Sequence, residues 1–240
     1  DVYKKASVME GIDIVGVDAH IGSQIFDLTP FTDSIKKLIE LADLLCKEGI
    51  DIGYIDIGGG LGIGYEAKDS PPEPKEYADV IIREISGKPY KLVLEPGRSL
   101  IGNAGILVTK VIYLKDGETK KFVIVDAAMN DLIRPAFYDS YHKILKVNEN
   151  DEKDEIVDIV GPVCESGDFF AKDRKLAKIE RDDLLAILSA GAYGFVMSSN
   201  YNSRPRVPEV MVKGDEFFVV RKRETIEDLI EGEDIPDFIK

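Results

Sequence analysis

Short β-branched runs alternate with longer stretches of helical spacing over the first hundred residues, and this rhythm constrains the chain most. It is what a parallel sheet joined by crossover helices requires. Three strands are legible: Ile12 to His20, Tyr54 to Ile57 and Lys91 to Leu94. Each closes on a polar or glycine-rich loop, the second on Gly58-Gly59-Gly60 and the third on Glu95-Pro96-Gly97-Arg98. Phe31, Ile35, Leu38, Leu41, Ala42 and Leu45 recur at helical spacing and predict a helix from Pro30 to Lys47, stopped by Gly49. A proline-rich surface loop at Pro71, Pro72 and Pro74 precedes a second helix, from about Glu76 to Glu84.

After Arg98 the rhythm changes to strands and turns. Ile106 to Leu114, a turn at Lys115 to Glu118, and Phe122 to Val125 are followed by strand-like runs at Ile156 to Val160, Leu184 to Leu188 and Phe217 to Arg221. The fold class is therefore α/β plus all-β. Residues 1–104 read as the C-terminal part of a TIM-type (β/α)8 barrel, and residues 105–240 as a mostly antiparallel β-barrel or sandwich. A complete barrel needs roughly 250 residues by itself, and three parallel strands alone leave an unpaired edge. The expectation is that these residues are the C-terminal portion of a larger protein. Glu149 to Glu155 is an acidic run expected to be a solvated loop, and Ile226 to Ile230 a short helix.

Composition narrows the function. With 44% hydrophobic residues a sizeable core is available, while 31 Lys+Arg against 45 Asp+Glu, a net charge of −14, argue against a nucleic-acid or anionic-membrane partner. A small molecule or another protein fits better. No run of 18 apolar residues occurs and the first residues lack the apolar core of a signal peptide, so a soluble, cytoplasmic protein is expected. Two cysteines, Cys46 and Cys164, cannot make a disulfide framework. With only His20 and His142, no multi-histidine metal site is expected either.

In parallel α/β architectures the loops at the carboxyl ends of the strands converge on the ligand. Asp56 to Gly62 lets the main chain approach an anion closely, which favours phosphate, although a plain tight turn would also use one or two glycines. Val17 to Gln24 brings an imidazole, His20, and a hydroxyl, Ser23, to a strand end; a structural histidine is the equal alternative. Glu95 and Arg98 stand three residues apart at the next strand end, where an internal ion pair competes with a binding role.

Taken in order, His20-Ile21-Gly22-Ser23-Gln24, Asp56-Ile57-Gly58-Gly59-Gly60 and Glu95-Pro96-Gly97-Arg98 resemble the barrel of the alanine-racemase-like decarboxylases that use pyridoxal 5′-phosphate. Ile133 to Tyr138, Gly161 to Asp168, Gly191 to Gly194 and Asn200 to Pro205 narrow the resemblance to the diaminopimelate decarboxylase family, across most of the 240 residues. That family releases CO₂ from meso-2,6-diaminopimelate to form L-lysine, in lysine biosynthesis.

The resemblance implies a set of roles. Glu95 would keep the cofactor's ring nitrogen protonated, and His20 would lie against the ring. Ser23, Gly58, Gly59, Gly60 and Gly97 would surround the phosphate, with Arg98 and Tyr193 contacting cofactor and substrate. Arg98, Arg134 and Tyr138 resemble the group that receives the distal carboxylate of the substrate, and Glu165 the acceptor of its distal ammonium. Cys164 would return a proton to the substrate carbon after CO₂ leaves; without its motif it would read as an inert buried thiol. Cys46 remains the inert case, and His142 has no implied role beyond a structural or exposed one. In the family the loop bearing Cys164 and Glu165 completes the partner's site, so a homodimer is implied. The lysine that carries the cofactor lies upstream of every motif found here, and the chain by itself is expected to be inactive. A related decarboxylase acting on ornithine, arginine or carboxynorspermidine, or a non-catalytic relative that merely binds the cofactor, are the alternatives.

Overall fold

The computed structural model describes residues 1–148 and 153–239. Its first unit, Asp1–Asn103, carries the expected βα rhythm. The elements are α1 (Val2–Ala6), β1 (Gly16–Asp18), α2 (Thr29–Lys47), β2 (Tyr54–Asp56), α3 (Pro74–Ile85), β3 (Lys91–Val93) and α4 (Gly97–Ile101). The Asp27 carboxylate accepts the Thr29 N–H at 2.8 Å where α2 begins, and Pro30 suits its first turn because no helical donor is lost there. Phe31, Ile35, Leu38, Ile39, Ala42 and Leu45 form the buried face of α2. Leu41, expected on that face, lies 36% exposed, and Ile39 takes its place. Gly49, with φ +86°, ends the helix in a conformation that other residues adopt at a cost. Glu73 and Glu76 cap α3 reciprocally.

Strands β1, β2 and β3 lie side by side and parallel, in that order. Val17, Ile55 and Leu92 share one register position and pack into the core formed with α2 and α3. Ile55 is fully buried, worth about 1.5–3 kcal/mol relative to exposure. On the opposite side Gly16, Tyr54 and Lys91 align, followed by Asp18, Asp56 and Val93. The first strand is shorter than its apolar run from Ile12 predicts. Its pairing begins at Gly16, opposite Tyr54, where β2 also starts, and Ile12 and Val15 are left exposed.

In the second unit, Ala104–Lys240, strands predominate among the regular elements: β4 (Leu107–Asp116), β5 (Lys121–Val125), β6 (Ile144–Lys146), β7 (Asp154–Val160), β8 (Phe169–Ala177), β9 (Leu184–Ile187), β10 (Glu209–Lys213) and β11 (Glu216–Arg221), with helices α5 (Arg134–Tyr138) and α6 (Ile226–Leu229). Six strands make one sheet in the order β6-β9-β4-β5-β7-β8, and β10 and β11 pair apart from it. All these pairs are antiparallel except β5 with β7, which makes the larger sheet mixed. Its core is Val111, Val123, Val125, Ile144, Val157, Ile159, Phe170, Leu185 and Ile187. Of the acidic run, residues 149–152 lie outside the described residues. Asp154 and Glu155 are strand rather than loop, and pair with Lys175 and Lys121 respectively.

Candidate active site

The carboxyl ends of β1, β2 and β3 meet, and the meeting is so close that only glycine fits. Gly59 N–H donates to His20 Nδ1 at 3.2 Å, which orients the imidazole and puts the proton of its neutral form on Nε2. A Cβ added at Gly59 would stand 2.3 Å from the Glu95 carbonyl oxygen, and one at Gly58 2.9 Å from the His20 Cα. Glu95 N–H in turn donates to the Gly58 carbonyl at 2.8 Å. At Gly60, φ is +106° and a Cβ would reach within 2.6 Å of the Gly22 carbonyl. His20, Gly58, Gly59, Gly60 and Glu95 are thus one assembly of three strand ends.

Around it, Arg98 Nη2 donates to Ser23 Oγ at 3.1 Å and Arg98 Nη1 to the Tyr65 hydroxyl at 2.5 Å. Gln24, at φ 60°, spans the loop by accepting from Ile63 N–H at 3.2 Å and donating to the Ile63 carbonyl at 2.6 Å. Carboxylate oxygens of Asp18, Asp56 and Glu95 lie within 4.8 Å of one another, concentrating negative charge beside the glycines. Gly97 differs from Gly58, Gly59 and Gly60, because a Cβ there meets nothing within 4 Å. Tyr65 and the Asp18–Asp56 pair escaped the sequence reading. Tyr65 had no local signal, whereas Gln24 and the aspartates sit inside motifs already singled out.

These features fit a pyridoxal phosphate cofactor on two grounds. At Gly97 a Cβ would meet no protein atom within 4 Å, so the main chain there is open to close approach by a phosphate, while Gly58, Gly59 and Gly60 let the strand ends meet. The carboxylate cluster also suits a protonated ring nitrogen.

The second unit holds the other predicted residues in two groups. Cys164 and Glu165 are exposed on the loop between β7 and β8, so Cys164 is not the inert buried thiol that an isolated cysteine usually is. Buried Asp168 closes this loop. Its carboxylate accepts from Val163 N–H at 2.6 Å and Met129 N–H at 2.8 Å, and a Cβ on Gly161 would collide with it at 2.4 Å. Burial pushes the Asp168 carboxyl up from its ordinary value, with those two N–H groups pulling back the other way. Glu165 accepts from Gly167 N–H at 3.1 Å and from the Tyr201 hydroxyl at 3.2 Å, which raises the Tyr201 phenol.

Arg134, Tyr138 and Tyr193 form the second group. Arg134 is buried on α5, with its guanidinium carbon 5.9 Å from the centroid of each tyrosine ring. Tyr193 takes a left-handed φ of 58°, a cost of about 1–3 kcal/mol that surrounding structure must hold. His142 corrects the sequence reading in part. It is fully buried rather than exposed, and accepts from Arg134 Nε–H at 3.3 Å. Cys46 is exposed on α2.

A parallel βα sheet whose loop ends fit a pyridine ring and a phosphate, followed by a β unit carrying a thiol loop, defines a class of protein. The family described as "Pyridoxal-dependent decarboxylase, C-terminal sheet domain" matches residues 2–191, and the chain belongs to it. Within that family it is 49% identical to the diaminopimelate decarboxylase of Aquifex aeolicus over 95% of this chain and 54% of that protein. The diaminopimelate decarboxylase of Archaeoglobus fulgidus is 47% identical over 100% of this chain and 58% of its own length. The chain spans about half the length of the curated relatives it matches.

Among solved structures, diaminopimelate decarboxylase from M. jannaschii superposes with a TM-score of 0.93 at 42% identity, over 99% of this chain and 56% of that one. The Helicobacter pylori enzyme complexed with L-lysine superposes at 0.88 and 40% identity, over 95% and 57%. The fold class read from the sequence is the fold these structures share. No described helix is long and apolar enough to cross a membrane.

Proposed function

We propose that the protein decarboxylates meso-2,6-diaminopimelate to L-lysine and CO₂ with pyridoxal 5′-phosphate, as a cytoplasmic homodimer. In this reading residues 1–104 are the C-terminal part of the cofactor-binding barrel, and residues 105–240 supply substrate and dimer contacts. The observation that carries it is Arg134, a buried guanidinium flanked by Tyr138 and Tyr193. A buried arginine with its planar fork is suited to a carboxylate, and a diamine precursor such as ornithine has no distal carboxylate to offer.

Pyridoxal phosphate bound here would supply an electron sink for the substrate carbon that loses CO₂. The chain's own residues do the rest. Glu95 holds a proton at the ring nitrogen, supported by the charge of Asp18 and Asp56. His20, fixed by Gly59 N–H, orients the ring. Ser23, Gly58, Gly59, Gly60 and Gly97 receive the phosphate, and Arg98 reaches it through the group it forms with Ser23. Arg98, Arg134 and Tyr138 bind the distal carboxylate, Glu165 binds the distal ammonium, and Tyr193 touches both cofactor and substrate. Cys164 delivers the proton that replaces CO₂. Its exposure supports a loop that serves a second chain's site, which is the reason for the homodimer.

A substrate lacking either distal charge leaves a protein partner unpaired, at about 1–3 kcal/mol per group. The test is CO₂ release by the full-length protein, loaded with cofactor, from meso-diaminopimelate and from ornithine. Preference for the former by ten-fold or more is expected. Preference for ornithine, or cofactor binding with no CO₂ from either, overturns the reading.

A further inference from the structure

His142 follows a motif that resemblance gave a role, yet itself received none. It is buried completely, and both of its ring nitrogens are engaged. Nδ1 lies 2.8 Å from the Leu188 carbonyl oxygen, which can only accept, so Nδ1 must carry a proton. Nε2 faces Arg134 Nε–H at 3.3 Å, which can only donate, so Nε2 must be bare. The imidazole is therefore neutral and held in one tautomer between a carbonyl and a cation.

Its main chain is held as firmly. Arg174 of β8 donates from Nη1 to the His142 carbonyl at 2.8 Å and lies 4.0 Å from the Tyr141 ring centroid. Leu188 N–H donates to the Lys143 carbonyl at 2.8 Å, tying the residue after His142 to the same β9 end that receives its Nδ1 proton.

We infer that His142 is the positioning residue for Arg134, setting the plane of its guanidinium for the carboxylate of a small amino-acid substrate. The inference rests on the substrate reading above. Ser140 Oγ accepts from Arg134 Nη2 at 3.2 Å, so Arg134 is held along two directions within its own plane. A guanidinium carries five N–H donors in a rigid fork, and fixing Nε and one Nη2 hydrogen decides where the remaining edges point. An arginine fixed in this way loses less freedom on binding than a mobile one, and the gain appears as affinity for the carboxylate.

The test compares His142→Leu, which removes the acceptor, with His142→Gln, whose amide oxygen can take the place of Nε2. In the full-length holoenzyme His142→Leu raises KM for meso-diaminopimelate ten-fold or more, with kcat within about three-fold and cofactor affinity unchanged; His142→Gln recovers most of the loss. An unchanged KM in folded His142→Leu overturns the inference, as does failure of His142→Gln to improve on it. Should His142→Leu fail to fold, ¹⁵N spectra of the wild-type ring nitrogens decide, the His142 signals being identified by their loss in His142→Gln. A proton on Nδ1 and a bare, hydrogen-bonded Nε2 support the couple, and a proton on Nε2 overturns it. An enzyme with the expected tautomer that ignores meso-diaminopimelate refutes the substrate reading and leaves the couple standing. Turnover with a KM indifferent to His142 does the reverse.

Discussion

Gly59 is where a single methyl group should do the most damage. Its replacement by alanine puts a Cβ 2.3 Å from the Glu95 carbonyl oxygen, 3.2 Å from the Glu95 carbonyl carbon and 3.5 Å from His20 Cε1. An ordinary carbon–oxygen contact is about 3.3 Å or more, so the two strand ends must part by about 1 Å. Both sides of the clash are backbone, and no flexible side chain can absorb it. The Glu95 N–H bond to Gly58 and the Gly59 N–H bond to His20 lie across the same gap and must stretch. Overpacking of this kind costs about 1–3 kcal/mol of stability. The catalytic loss is larger, because a misplacement of about 1 Å can cost about 10²-fold. The assay is CO₂ release by the full-length protein, alongside cofactor affinity by absorbance titration and unfolding in urea. Gly64→Ala is the control, since its Cβ meets Asp69 Cβ at 3.7 Å and Pro71 Cδ at 3.8 Å, ordinary contacts. Cofactor affinity and turnover within two-fold of wild type in Gly59→Ala would refute the claim that these strand ends form one rigid assembly.

Two further outcomes concern the second unit. Asp168→Ala strips the acceptor from Val163 N–H and Met129 N–H, and should destabilise by about 2 kcal/mol while speeding alkylation of Cys164 on the loosened loop; unchanged alkylation would mean that the loop holds its shape without the carboxylate. Glu224 accepts from Arg206 Nε at 2.6 Å, Arg206 N–H at 2.8 Å and Asn200 Nδ2 at 2.7 Å, and Arg206 holds its carboxyl down at about 2. A depressed carboxyl stabilises the fold above its unfolded value of 4.5 and loses that contribution as pH falls toward 2. The stability gap between wild type and Glu224→Gln should therefore close over that window, and a gap constant with pH would contradict it.

What could be read from sequence follows from how local each feature is. The α2 helix was legible because its buried face repeats within its own nineteen residues. Leu41 and Ile39 exchanged places because both lie near the edge of that stripe, where only the neighbouring sheet decides. Strand β8 was missed because Lys172, Asp173, Arg174 and Lys175 interrupt its apolar residues, and because Asp173 turns to φ 48° beside a register shift against β7. In β10 and β11 almost every residue is exposed, so β10 shows no alternation of burial to detect. The parallel pairing of β5 with β7 depends on a crossover that leaves no periodic trace. At the site, the glycines were legible as a motif, but their reason was not: Gly59 must be glycine because of Glu95, thirty-six positions away. His142 was illegible for the same reason, its partners being Arg134 and Leu188.

Asp168 and His142 share a physical logic. Each is a buried polar side chain whose hydrogen bonds end on a group assigned to chemistry or on the loop that carries one. Burying such groups costs free energy unless every partner is in place, and so each fixes a single local geometry. For Arg134 that geometry orients a cation that is itself buried. For Cys164 it holds rigid a loop whose reactive residues face solvent on their own chain. Rigidity of an exposed loop adds little to the stability of the unit that bears it, but it lowers the ordering cost when another surface closes over the loop. A thiol and a carboxylate presented in this way make physical sense where a second chain covers them and excludes water from the proton transfer. The homodimer proposed above would supply that covering chain.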